Sequence, residues 1–255
     1  GARFAVASVQ AALQRTLPPA ALESAVVTIA AGEQAPLEGL TQQLTRAGYE
    51  RCIQVEGTGQ FSVRGGILDV FPPQAENPYR VEFWDDEVDS IATFDVGSQR
   101  RLEQVEALRC LPCMETLPHL APGGVDGLAR AVRGTLSTRR KKHAELKANI
   151  ERDAERLEQT GGLPAADKYL PLVYPEMATA LDYLPENTIV LIEDTPRLRD
   201  AARDFLARIG DDVTALLERG EMPPGLDGYA LDFAGLCRTP RAVLRLDSFL
   251  NSVPE

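Results

Sequence analysis

Histidine is nearly missing from this chain, with two in 255 residues, and cysteine, at four, is almost as sparse. Cys52, Cys110, Cys113 and Cys237 are too few to staple a secreted domain of this length. Cys110-Leu-Pro-Cys113 has the spacing of redox and zinc sites. It lacks the second pair that zinc needs, and it follows an apparent strand instead of opening a helix, where the dipole would lower a thiol pKa. The four therefore read as reduced, structural thiols in a cytoplasmic protein. His119 and His143 stand in no metal-ligand pattern. No Gly-Lys pair occurs, which excludes a phosphate loop. Gly57-Thr-Gly59 lacks the third glycine of a dinucleotide fingerprint and leads into a strand. A Gly-x-Ser-x-Gly elbow is absent, and with it that class of hydrolase nucleophile. No uncharged apolar run approaches membrane-spanning length, and the N-terminus carries no signal pattern. Positive charge is also scarce: 27 basic against 38 acidic side chains give a formal charge of −11. Such a chain repels nucleic acid on average, so a DNA contact needs a local basic patch. No catalytic residue, metal or cofactor site is expected.

What is present is an ordinary globular balance, 44% apolar and 25% charged, at a length that suggests about two domains. Phe4–Ala7 reads as a strand, and Ser8 caps a helix to Leu17 that Pro18 and Pro19 stop. Ala25–Ala30 reads as the next strand, which implies a βαβ-type arrangement. Leu37, Leu40 and Leu44 then mark a helix ended by Gly48. From Tyr49 to Cys113 short alternating strands predict a mostly antiparallel sheet, with Asp85-Asp86-Glu87 as a hairpin turn. Helical patterning follows Gly123. Thr188–Ile192 reads as a strand buried on both faces, with Thr195 as the next N-cap and Pro196 at the first helical position. The expected division is a remnant of a first α/β lobe (residues 1–25), a sheet domain (26–113), a second α/β part (114–222) and a linker with a terminal strand (223–255).

Two features point to binding. Arg130–Lys147 holds seven basic side chains and one acidic, and Arg139, Arg140, Lys141 and Lys142 within it are candidate DNA contacts. A solvated helix face is the alternative. The second feature is the strand Tyr79–Trp84. Alternation puts Tyr79, Val81 and Phe83 toward a core and Arg80, Glu82 and Trp84 on the other side. In the preceding strand Phe61 and Val63 point one way, Ser62 and Arg64 the other. An exposed aromatic beside arginines has the composition of an interface hot spot; a helix covering Trp84 is the competing arrangement.

Gly48-Tyr49, Gly59–Pro72, Pro78–Ile91, Phe94-Asp95 and Ser98-Gln-Arg100 closely resemble the UvrB-homology module of the bacterial transcription-repair coupling factors, the Mfd family. UvrB shares this sheet, and a UvrB fragment is the nearest alternative. Leu170–Tyr174 and Tyr183–Asn187 resemble the coupling factors instead. The resemblance implies an α/β, UvrB-like fold: a small, mainly antiparallel sheet domain beside an incomplete RecA-like lobe with a long helical segment. It also implies a non-catalytic role in nucleotide-excision repair, recruiting UvrA by mimicking UvrB. The family's UvrA-contacting positions match Arg64, Arg80 and Trp84. Trp84 stands where the family often has phenylalanine. The family's polymerase-binding and motor domains have no counterpart here, so RNA polymerase would be reached only through domains absent from the sequence. The rivals are a DNA-binding module and an ATPase remnant with Asp194 or the Asp85 cluster holding magnesium.

Overall fold

The computed structural model describes residues 4–136, 144–238 and 241–247. The chain divides into two compact units, one of residues 20–125 with 156–166, the other of the remaining residues.

Ser8 caps α1 (Val9–Leu13) by accepting from the Ala11 amide at 3.3 Å. The helix stops at Leu13, short of the expected Leu17. Gln14 is extended, and Arg15 donates its amide to the Tyr229 carbonyl at 2.9 Å. That bond takes the backbone out of the helix and into β1 (Arg15–Thr16). Pro19 then opens α2 (Pro19–Ala25); it does not end a helix, because the first helical position needs no N–H. Residues 4–7 have no regular structure, so the expected βαβ-type opening does not form.

β2 (Val27–Ala30) and α3 (Leu37–Arg46) lead into a six-stranded sheet. Its strands are β3 (Glu50–Arg51), β4 (Gln60–Arg64), β5 (Ile67–Phe71), β6 (Tyr79–Trp84), β7 (Glu87–Phe94) and β8 (Arg101–Val105), in that spatial order. Only β3 and β4 run parallel; the other four pairings, between sequence neighbours, are antiparallel, since short connections cannot make a parallel crossover. β9 (Ala107–Cys110) returns to pair antiparallel with β2.

Alternation determines which face is dry. Val81 lies opposite Leu68 on one side and Ile91 on the other, and all three are buried together with Phe61, Leu40 and Leu44 in one core. Burying each such side chain contributes about 1.5–3 kcal/mol. Gly48 closes α3 at φ +88°, where a Cβ would stand 2.7 Å from Met114 Cγ. Tyr49 enters the same core and donates its hydroxyl to the Leu111 carbonyl at 2.7 Å. All four cysteines are free.

The other unit draws on α4 (Gly124–Gly134), α5 (Ala144–Thr160), the short α6 (Leu170–Val173) and β10 (Ala178–Thr179), which pairs with β1. β11 (Ile189–Glu193), α7 (Thr195–Glu218), α8 (Phe233–Cys237) and β12 (Ala242–Leu246) complete it. Val9, Leu13, Ala202 and Leu236 form its core cluster. β11 pairs only with β12, in parallel, among the described residues. The expected burial on both faces therefore fails: Ile192 is buried, but Ile189 and Leu191 are each 62% exposed.

The cap of α7 is also displaced by one residue. Asp194, at φ +54°, is the N-cap and accepts from the Arg197 amide. Thr195 is drawn into the helix because its own amide donates to Asp247 at 2.7 Å. No helix among the described residues is long and apolar enough to cross a membrane.

Candidate functional site

The dry face of the six-stranded sheet leaves its second face for polar groups, and one carboxylate organises it. Asp69 is the middle residue of β5, between the buried Leu68 and Val70, and is itself only 2% exposed. Cross-strand register sets Ser62 of β4 and Arg80 of β6 directly opposite it. Arg80 donates Nε to Asp69 Oδ1 at 2.7 Å and Nη2 to Oδ2 at 2.8 Å. Arg64, at the end of β4, donates Nη2 to the same Oδ2 at 2.7 Å. One buried acid thus holds two guanidinium groups. The paired geometry is the strong, charge-assisted kind.

Arg80 is fixed from two further sides. Its guanidinium carbon lies 4.4 Å from the centre of the Phe94 ring, a cation–π arrangement. Its Nη2 also donates to Gln99 Oε1 at 3.1 Å. The hydrogen bonds to Asp69 raise the Arg80 pKa above its ordinary value, against the effect of burial. Arg64 keeps about half of its side chain in water and Arg80 about a fifth, so each presents part of its donor fork outward.

Trp84 ends β6 and is 82% exposed. No helix among the described residues covers it, which decides between the two arrangements left open by the sequence. It shares the polar face with Arg80 by alternation, roughly 13 Å farther along the strand at 3.3 Å per residue. Glu82, between them, lies opposite Ile67, which pairs with Arg64. The indole therefore occupies the sheet end where β4 turns into β5. Gly66 in that turn accepts from the Phe83 amide at 2.8 Å, and a Cβ on it would stand 3.1 Å from the Phe83 carbonyl oxygen. A side chain there would push the Arg64 turn away from the Trp84 strand.

Ser62 lies on the face that alternation gives it, opposite Asp69, but it is not open to water. It is 1% exposed, and its hydroxyl has no hydrogen-bond partner among the described residues. Asp69, Phe94 and Gln99 were missed in the sequence. A carboxylate in the apolar run Ile67–Phe71, placed by hairpin register against two arginines, was the available signal for the first. Arg101 was missed too; it reaches Ser90 at 3.1 Å and Glu82 at 3.8 Å on this face. Arg139, Arg140, Lys141 and Lys142 lie outside the described residues. No group of histidine, cysteine and carboxylate side chains able to hold a metal is found among the described residues. The Asp85 cluster forms the hairpin turn, with Asp85 at φ +56°.

Chemically, the face offers fixed cationic donors beside an exposed ring, a composition suited to recognition. Residues 27–115 match the sequence profile of the UvrB interaction domain. The chain is similar to the transcription-repair-coupling factor of Bacillus subtilis, 33% identical over 219 residues. It is 36% identical to that of Haemophilus influenzae over 181 residues, and 33% identical to that of Escherichia coli over 223. These alignments cover 83%, 69% and 86% of this chain, but only 18%, 15% and 18% of the relatives. Residues 27–115 belong to the UvrB interaction domain family, within a chain related over most of its length to the transcription-repair-coupling factors.

Proposed function

We propose that this chain is a non-catalytic docking module that recruits UvrA in transcription-coupled nucleotide-excision repair by presenting the surface through which UvrB docks. The observation that carries the reading is the pairing of Arg64 and Arg80 on Asp69, on the same sheet face as the exposed Trp84. Hot spots combine an aromatic anchor with preorganised arginines because both give large contact area with few rotamers left to freeze. Arg64 and Arg80 would meet carboxylates or carbonyls of the partner, and Trp84 would fill an apolar depression on it.

The test is a pull-down and a calorimetric titration against UvrA. Arg64→Glu and Arg80→Ala should each weaken binding by about 2 kcal/mol or more, with circular dichroism showing a retained fold. Wild-type affinity in both variants, with the fold intact, removes the site assignment.

A further inference from the structure

A hollow in the sheet-bearing unit carries chemistry that the face around Asp69 does not use. It measures about 510 Å³ and is walled by Thr41–Arg46 of α3, Arg51 of the edge strand β3, Met114, Pro118, His119 and the Thr160–Gly162 turn. Arg46, Arg51 and His119 line it, and no aspartate or glutamate does. That is a local reversal in a chain of formal charge −11.

Arg64 and Arg80 each sit on a carboxylate, whereas Arg46 and Arg51 form no ion pair among the described residues. A cation in the last turn of α3 complements the helix dipole, and an arginine on an edge strand discourages strand addition. Those roles explain each residue separately. They leave unexplained why both guanidinium groups and an imidazole border one hollow without a counter-charge.

The hydroxyls of Thr41, Thr45 and Thr160 are committed to the carbonyls of Glu38, Thr41 and Arg156. The donors left are the two guanidinium groups, the Gln42 amide and the His119 ring, around apolar walls that include Met114 and Val125. Forked cationic donors beside apolar walls, in a hollow of this size, match a site for a compact polyvalent anion.

We propose that this hollow binds a phosphoryl group, with Arg46 and Arg51 as its charged ligands and His119 at its side. A phosphoryl dianion matches two guanidinium charges, and its tetrahedral oxygens accept from both forks at once. Burial and the Arg46 charge hold the His119 pKa below the ordinary 6.5. A bound dianion reverses the local field and raises it. The group can come from a free phosphate compound, as a dianion, or from the backbone of a single nucleic-acid strand, with one monoanionic phosphodiester to each guanidinium.

The experiment follows the His119 ring by NMR in a His143→Gln background, which leaves one imidazole signal. The probes are inorganic phosphate, pyrophosphate and a DNA oligonucleotide without terminal phosphates. The expected result is an upward displacement of the His119 midpoint by about half a unit or more on saturation. The ligand-induced displacement should be lost in Arg46→Gln/Arg51→Gln. Displacement by phosphate or pyrophosphate assigns a free compound, and displacement by the oligonucleotide alone assigns a nucleic-acid backbone. Arg51→Gln by itself, on an exposed edge strand, serves if the double variant does not fold. No displacement with any probe, or one that survives loss of the arginines, overturns the proposal.

Discussion

Arg80 meets Asp69 through two parallel hydrogen bonds of 2.7 and 2.8 Å, and the acid they share with Arg64 is almost wholly buried. Two cations on one anion leave a single uncompensated positive charge on this face. Its direction is set by the protein before any partner arrives.

Asp69→Asn removes the common anchor and the counter-charge that both guanidinium groups share. Breaking a fully buried pair costs about 3–5 kcal/mol, but both arginines reach water here, so a loss of about 1–3 kcal/mol is expected. Urea denaturation measures it. An unchanged unfolding midpoint with an unchanged slope would show that the acid is not the anchor.

Trp84→Ala should separate recognition from stability. The indole is 82% exposed, so its loss should change folding free energy by no more than about 0.5 kcal/mol. Affinity for UvrA should fall by about 2 kcal/mol or more, roughly thirtyfold. A melting curve and a titration on the same preparation give both numbers. A large drop in thermal stability contradicts the exposed placement, whereas retained affinity contradicts the proposed docking role.

The Cys110 and Cys113 thiols should be inert in the folded protein. Burial pushes Cys110 up to about 12 and Cys113 up to about 11, so almost no thiolate exists at neutral pH, and thiolate is the reactive form. Iodoacetamide labelling with peptide mapping should modify both only after denaturant is added. Rapid labelling of Cys113 under native conditions would reopen a redox role for the Cys110-Leu-Pro-Cys113 spacing.

His119 predicts a small acid sensitivity. Its folded pKa is depressed by burial and by Arg46, so between that value and the ordinary 6.5 the unfolded chain binds more protons. Stability is fully present above pH 6.5 and declines as pH falls through it toward the folded value. His119→Gln should flatten this segment of the melting-temperature profile relative to wild type. Parallel profiles for the two proteins would exclude the histidine as the cause.

Local spacing made the sheet unit legible in the sequence. Val81 and its neighbours alternate cleanly, Gly48 ends a helix at positive φ, and the hairpin between Trp84 and Glu87 carries acidic turn residues. Arg64, Arg80 and Trp84 were readable because a two-residue period assigns faces without knowledge of other strands. Asp69 was not, since its meaning depends on register across β4, β5 and β6, a non-local property. The same limit hid the early end of α1, which a backbone bond to Tyr229 imposes. It also hid the open side of β11, because an uninterrupted apolar run cannot say how many neighbours its strand will have.

The hairpin that ends in Trp84 is tied to the β2–α3 connection. Gly32 and Ala35 donate their amides to Val88 and Asp86, and Val88 donates back to Glu33. Such a tethered support loses little motional freedom when a ligand protein settles on it. Under the proposed docking role, adaptation falls to the incoming surface, and strengthening these tethers should change residence time far less than reshaping the partner's contact surface.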